Sequence, residues 1–178
     1  MKQQDNRERF KMLLLSTERR GIQNVLEELE CSGFYDAPVI THKTLDYKGG
    51  LLQHSLNVYN AAEILAKAFS SCFSNKQFSI DSIIISSLLH DICKVDVTES
   101  NDMFYFPIGH GEKSVILLLK WGLELTKEEM LAIRWHMGAW DMSHRQSTQL
   151  DYKCACQNYS LVTLLHVADM LATYFYEK

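Results

Sequence analysis

The stretch IIISSLLHDICK, Ile83 to Lys94, decides the fold. Its first half is apolar enough to be a buried helix, and its end sets His90 beside Asp91. Burying a carboxylate is costly unless the group is paired, hydrogen-bonded or bound to a metal. A buried helix that ends in a His–Asp pair therefore needs polar partners inside the protein, and other elements must supply them. Lys94 lies four residues after His90 and three after Asp91, so it projects into the same space. Two readings stay open for it: a cation favoured near a helix C-terminus, or a point charge for a phosphate.

Outward from this stretch the chain reads as helices. Leu51, Ser55, Val58, Ala62, Leu65 and Phe69 recur at helical spacing, predicting a helix over 51–69. Residues 7–30 predict a pair of helices broken around Gly21, with Met12, Leu15, Val25 and Leu26 as core candidates. The opening stretch belongs to a helix over 80–93, and a further one is expected over 112–121. Thr126 and Glu129 form a T-x-x-E capping box that starts another helix, ending at Gly138. The last helix is predicted over 159–176, with Leu161, Leu164, Leu165, Ala168, Leu171 and Phe175 inside. The segments 31–50, 97–111 and 141–157 read as irregular, with a short hairpin at 103–106. The expectation is an all-α, single-domain helical bundle spanning 1–178.

Composition narrows the class. The 178 residues suffice for one domain with a sizeable core. The net charge of −4 argues against broad, unspecific nucleic-acid binding, while leaving room for a locally positive cleft. The five cysteines are scattered and odd in number, so a disulfide framework is not expected. Cys154 and Cys156 form a C-x-C, a weak metal signal without a second pair. No run of about 18 uncharged apolar residues indicates a membrane span. The N-terminal residues lack the apolar core of a signal peptide. A cytoplasmic protein without a membrane partner is the default expectation.

Other metal-competent side chains fall on inner faces. His54 lies three after Leu51 and four before Val58, on the apolar stripe of its helix. His136 lies three after Ile133 at a helix end, and Asp169 four after Leu165 on or beside a buried stripe. A lone inward histidine is more often a hydrogen-bonded core residue than a ligand, and a lone aspartate at a helix end is more often a cap. Several such residues at once are explained together by one shared metal centre, built from facing helices as bundle metal sites are.

The segments GGLLQHS (49–55), LLHDICK (88–94), GHGEKS (109–114), IRWHMGAWD (133–141) and HVADMLA (166–172) resemble the HD-domain metal-dependent phosphohydrolases. The ordered signature H…HD…D is complete. Its closest flavour resembles the HD domain of bacterial 3′-to-5′ exoribonucleases. The resemblance implies His54, His90, Asp91 and Asp169 as ligands of a first metal. It implies His110 and His136, with Asp91 bridging, as a second site. Asp91 and Lys94 are then the catalytic residues, and Lys94, His42, Ser114 and Asp141 the candidates for substrate contact. Gly109 and Gly111 would let backbone and phosphate approach closely, and His166 would support the ligands or the core. His144 and His42 could line the cleft.

The mixed imidazole and carboxylate set suits Fe, Mn, Co, Ni or Zn better than Ca or Mg, and two divalent ions are expected. The implied reaction is hydrolysis of a phosphomonoester or phosphodiester by a metal-bound hydroxide. The substrate would be a phosphorylated small molecule, in the first place a nucleotide, with short nucleic acid also admissible. The alternative is a nucleotide-binding regulatory module with little turnover.

Overall fold

A computed structural model describes residues 2–39, 44–72, 78–98, 109–138 and 146–178. Within them the chain is helical and contains no strand. The helices are α1 (Lys2–Leu15), α2 (Ile22–Cys31), α3 (Gly50–Cys72), α4 (Ile80–Leu89), α5 (His110–Lys120), α6 (Lys127–Trp135), α7 (Gln146–Asn158) and α8 (Ser160–Leu171). Short 3₁₀ turns follow α2 (Phe34–Asp36) and α4 (Ile92–Thr98), and a π turn, Ala172–Tyr176, extends α8. The all-α expectation is met.

The centre is made by α3 against α4 and α8, and by α6 against α4, α5 and α8. Helix α4 is central because it is apolar nearly all round. Every residue from Ser82 to Leu89 is buried. Two of its buried serines are satisfied within the helix: Ser86 Oγ donates to Ser82 O at 2.6 Å, and Ser87 Oγ to Ile83 O at 2.5 Å. Ser79 Oγ caps the N-terminus by accepting from the Ser82 amide. Leu51, Leu52 and Leu56 of α3 and Leu164 and Leu165 of α8 complete the core around it.

Several sequence expectations are corrected. Helix α1 turns Phe10 and Leu14 inward and leaves Met12 and Leu15 exposed. The inner face of α1 follows the aromatic at 10, which packs on Phe34 and Tyr35. Helix α4 stops at Leu89, not Cys93. The chain tightens there: the Lys94 amide bonds to Asp91 O, three residues back, at 3.0 Å. His110 opens α5 instead of standing in a loop. Residues 146–158 form α7 where an irregular segment is expected. This helix has little apolar face, since Leu150 is exposed and Ala155 is its buried contact. Phe175 is exposed because regular α-helix ends at Leu171. The hairpin at 103–106 lies outside the described residues.

The capping box at α6 is present as expected. Thr126 Oγ1 accepts from the Glu129 amide at 3.2 Å, and Glu129 Oε2 accepts from the Thr126 amide at 2.8 Å. Glu129 does more than cap. Its two oxygens also take both Nη atoms of Arg19, at 2.8 and 2.9 Å, and the Ser82 hydroxyl at 2.7 Å. One fully buried carboxylate thus joins the α1–α2 junction, the start of α4 and the start of α6.

Candidate metal centre

The last four carbonyls of a helix lack intrahelical donors. Helices α4 and α6 use the same device to satisfy one of theirs. His90 is the C-cap residue of α4, and its Nδ1 donates to Ser87 O at 2.8 Å. His136 is the C-cap residue of α6, and its Nδ1 donates to Ile133 O at 2.7 Å. A ring nitrogen that donates carries the proton, so each Nε2 keeps its lone pair and points away from its own helix. His54 sits within α3, where no terminal carbonyl is available. Its Nδ1 instead meets Glu177, 3.0 Å from Oε1 and 3.2 Å from Oε2.

The Nε2 atoms converge on two carboxylates. His54 Nε2 lies 3.3 Å from Asp169 Oδ1 and 3.5 Å from Asp91 Oδ2. His90 Nε2 lies 3.4 Å from Asp91 Oδ2, and His136 Nε2 lies 3.5 Å from Asp91 Oδ1. The His90 ring stands 4.8 Å from that of His136 and 5.3 Å from that of His54, centre to centre. All these side chains are buried, with Asp169 the most accessible at 13 %. The ligand atoms form two close sets that share His90: His54, His90 and Asp169, and His90, Asp91 and His136.

These separations fit a metal better than they fit hydrogen bonds. An N–H···O bond is typically about 2.7–3.2 Å long. Two ligand atoms about 2.1 Å from a tetrahedral ion stand about 3.4 Å apart. Among the described residues, His90 Nε2, His136 Nε2 and Asp91 Oδ1 have no hydrogen-bond partner. Buried polar atoms left this way cost free energy, and a shared cation removes the cost.

The electrostatics follow. Burial alone would raise the Asp91 carboxyl, but Lys94, His90, His136 and His54 outweigh it and hold Asp91 well below the usual carboxylate range. Asp169 is lowered likewise, the neighbouring imidazoles of His54, His90 and His136 outweighing burial. Burial would lower His54, but Asp169, Asp91 and Glu177 hold it well above an ordinary imidazole. His136 is raised by Asp91 against burial, while burial prevails at His90 and lowers it. The cluster thus needs positive charge at its centre, which protons or a metal can supply. Lys94 contributes from the side, its Nζ 2.5 Å from Asp91 Oδ2.

The remaining candidates are placed differently. His110 lies outside both close sets, its Nδ1 3.8 Å from Cys93 Sγ. Burial pushes the Cys93 thiol up to about 12, which keeps it a protonated neighbour. Ser114 is fully buried, and its Oγ accepts the Cys93 amide at 3.3 Å. It therefore ties α5 to the turn after Asp91. His42, Asp141 and His144 lie outside the described residues. Gly111 serves helix packing: a Cβ there would stand 2.3 Å from Arg134 O and 2.6 Å from Ile133 O, the acceptor of His136. His166 Nδ1 donates to His136 O at 2.6 Å and its ring fills the space above Gly138, whose φ of +55° suits glycine. His166 thus steadies the backbone of His136. Glu177 is the participant that sequence reasoning missed.

Residues 51–174 match the HD domain, and the chain belongs to that family. The superfamily so defined is one of metal-dependent phosphohydrolases whose HD domains bind divalent metals. No curated protein and no solved structure matches the chain significantly. Among the described residues, no helix is long and apolar enough to cross a membrane.

Proposed function

We propose that the protein hydrolyses a phosphomonoester or phosphodiester of a nucleotide or short oligonucleotide with the help of bound divalent metal. The carrying observation is the convergence of the imidazole Nε2 atoms of His54, His90 and His136 on Asp91 and Asp169 at ligand-to-ligand separations. The likeness of GGLLQHS and GHGEKS to segments of exoribonuclease HD domains supports a nucleotide-type ester. A divalent transition metal held by this set would supply Lewis acidity and a nucleophilic water at neutral pH.

The chain's own residues do the rest. Asp91 and Asp169 neutralise the cation, and the capped imidazoles hold their lone pairs in fixed directions. Lys94 is 21 % exposed at its side chain and so borders the solvent side of the cluster. Its ammonium can exchange Asp91 for the non-bridging oxygens of a phosphate and stabilise the charge that grows on them. Metal analysis of the purified protein, followed by a panel of phosphomonoesters, phosphodiesters and short oligonucleotides, tests the proposal. Bound metal with release of phosphate or nucleotide product is the expected result. Nucleotide binding without turnover would return the protein to the regulatory alternative.

Lys94→Ala separates substrate handling from metal binding. Because Lys94 and a bound metal would both draw on the Asp91 carboxylate, metal content should stay equal or rise in the variant. Its kcat/KM should fall roughly 10- to 150-fold, the worth of one charge-assisted contact at about 1.5–3 kcal/mol. An unchanged kcat/KM on every active substrate would leave Lys94 as a partner of Asp91 alone.

A further inference from the structure

We propose that Glu177 is a positioning residue for His54, and that the π turn Ala172–Tyr176 exists to deliver it. The inference rests on the metal reading above. It begins with a contrast among the three histidines. His90 and His136 are oriented by carbonyls of their own helices, so their direction is fixed wherever the helix ends. His54 lies inside α3 and has no such carbonyl. Its Nδ1 faces the carboxylate of Glu177, a residue 7 % exposed and more than a hundred positions away in sequence.

Glu177 is itself held from several sides. Asn57, one turn after His54, donates from Nδ2 to Oε1 at 2.9 Å. Thr44 Oγ1 donates to the Glu177 backbone carbonyl. Burying a glutamate this way is worthwhile only where its charge acts on something. A carboxylate on the far nitrogen of a ligating imidazole fixes the tautomer and makes the ring a stronger ligand.

Helix geometry explains why a wide turn is needed. Asp169 and Glu177 are eight residues apart, and both must reach His54 from opposite sides of its ring. In a regular α-helix, eight residues on from Asp169 falls about 80° off its face. A π turn takes roughly one more residue per turn, so the same eight residues come back close to that face. The Glu177 amide closes the turn on Ala172 O at 3.1 Å, a five-residue step. The exposed Tyr174, Phe175 and Tyr176 are the outer side of that turn. Glu177 lies beyond residue 174, where the family match ends.

The test is metal binding, measured by calorimetric titration of Mn²⁺ and Co²⁺ into metal-free protein. Wild-type, Glu177→Ala, Glu177→Gln and Glu177→Asp are compared, with the Co²⁺ absorption spectrum as a readout of coordination. Glu177→Ala should bind roughly 10- to 100-fold more weakly than wild type, the usual cost of losing such a support. It should also alter the Co²⁺ spectrum. Glu177→Gln, nearly isosteric, should lose several-fold, and Glu177→Asp should recover part of the loss. Wild-type affinity and spectrum in both Glu177→Ala and Glu177→Gln, with wild type binding normally, would overturn this inference alone. Should Glu177→Ala fail to fold, Glu177→Gln decides by the same comparison. Failure of wild type to bind any divalent transition metal would overturn the metal reading and this inference with it.

Discussion

Asp91→Asn protein is expected to fold, yet to lose bound metal and turnover together. Asp91 is the carboxylate on which the whole cluster turns. Its Oδ2 faces His54, His90 and Lys94, and its Oδ1 faces His136. Asparagine keeps the shape and removes the charge. Its amide hydrogens would then point at lone pairs or at the Lys94 ammonium, and the set of His90, residue 91 and His136 would keep no charged carboxylate for a dication. The loss in metal affinity should exceed the roughly 10- to 100-fold that a supporting group costs. The rate on any ester the protein turns over should fall at least about 10³-fold, more than the loss of a single stabilising donor. Folding should survive, because Lys94 borders solvent and the histidines can shed their protons. Metal content by elemental analysis, alongside the rate, checks this. Full metal occupancy with full turnover would mean that Asp91 is a structural cap on Lys94.

The fold is legible in sequence where an apolar stripe is long and regular. Helix α3 shows it through Leu51, Val58 and Ala62, and α8 through Leu161, Leu165 and Ala168, all of them buried. The boundaries are hidden where something other than periodicity ends the helix. At Leu89 the stop is a side-chain event, His90 Nδ1 donating to Ser87 O. Ile92 and Cys93 resume apolar character after the His–Asp pair, so hydrophobicity overshoots. At Leu171 the α-helix gives way to a π turn, which rotates Phe175 outward to 73 % exposure. Helix α7 is missed for the opposite reason, since most of its side chains face water and leave no stripe to find.

The site is legible for a related reason. His54, His90, Asp91, His136 and Asp169 are polar residues at positions that spacing places inside. Glu177 carries no such mark: it follows exposed aromatics and resembles any surface glutamate. The signal that could have found it lies in α3. A mid-helix ligand histidine needs an acceptor from elsewhere, and Asn57 one turn later offers a donor for that acceptor. The motif around Ser114 gives the residue's identity without its direction. Its hydroxyl points to the Cys93 amide.

Glu129→Ala should cost about 3 kcal/mol of folding stability, the lower end of the roughly 3–5 kcal/mol expected when one member of a buried ion pair is removed. The lower end applies because Arg19 retains 17 % exposure and can partly rehydrate, whereas Glu129 is fully buried. The loss is a large fraction of the roughly 5–15 kcal/mol that holds a domain together. Besides Arg19, the Ser82 hydroxyl and the Thr126 amide would lose their acceptor. Glu129 lies seven residues before His136 on α6, about 10 Å along the helix axis. Metal binding per folded molecule should therefore be unchanged. The pH dependence has a definite sign. Burial would raise the Glu129 carboxyl, but the hydrogen bond from Arg19 outweighs it and holds the group below its ordinary value of about 4.3. A depressed carboxylate contributes its full stability above that ordinary value and loses it as pH falls through the folded-state value. Wild-type stability should accordingly decline on acidification below about 4.3, and Glu129→Gln should show a shallower decline over the same interval. Urea midpoints at pH 7 and at steps down through the acid range measure both effects. Equal midpoints at pH 7 for wild type and Glu129→Ala would show that the Arg19, Ser82 and Thr126 contacts carry no net stability. Parallel acid slopes for wild type and Glu129→Gln would place the proton uptake on other carboxylates.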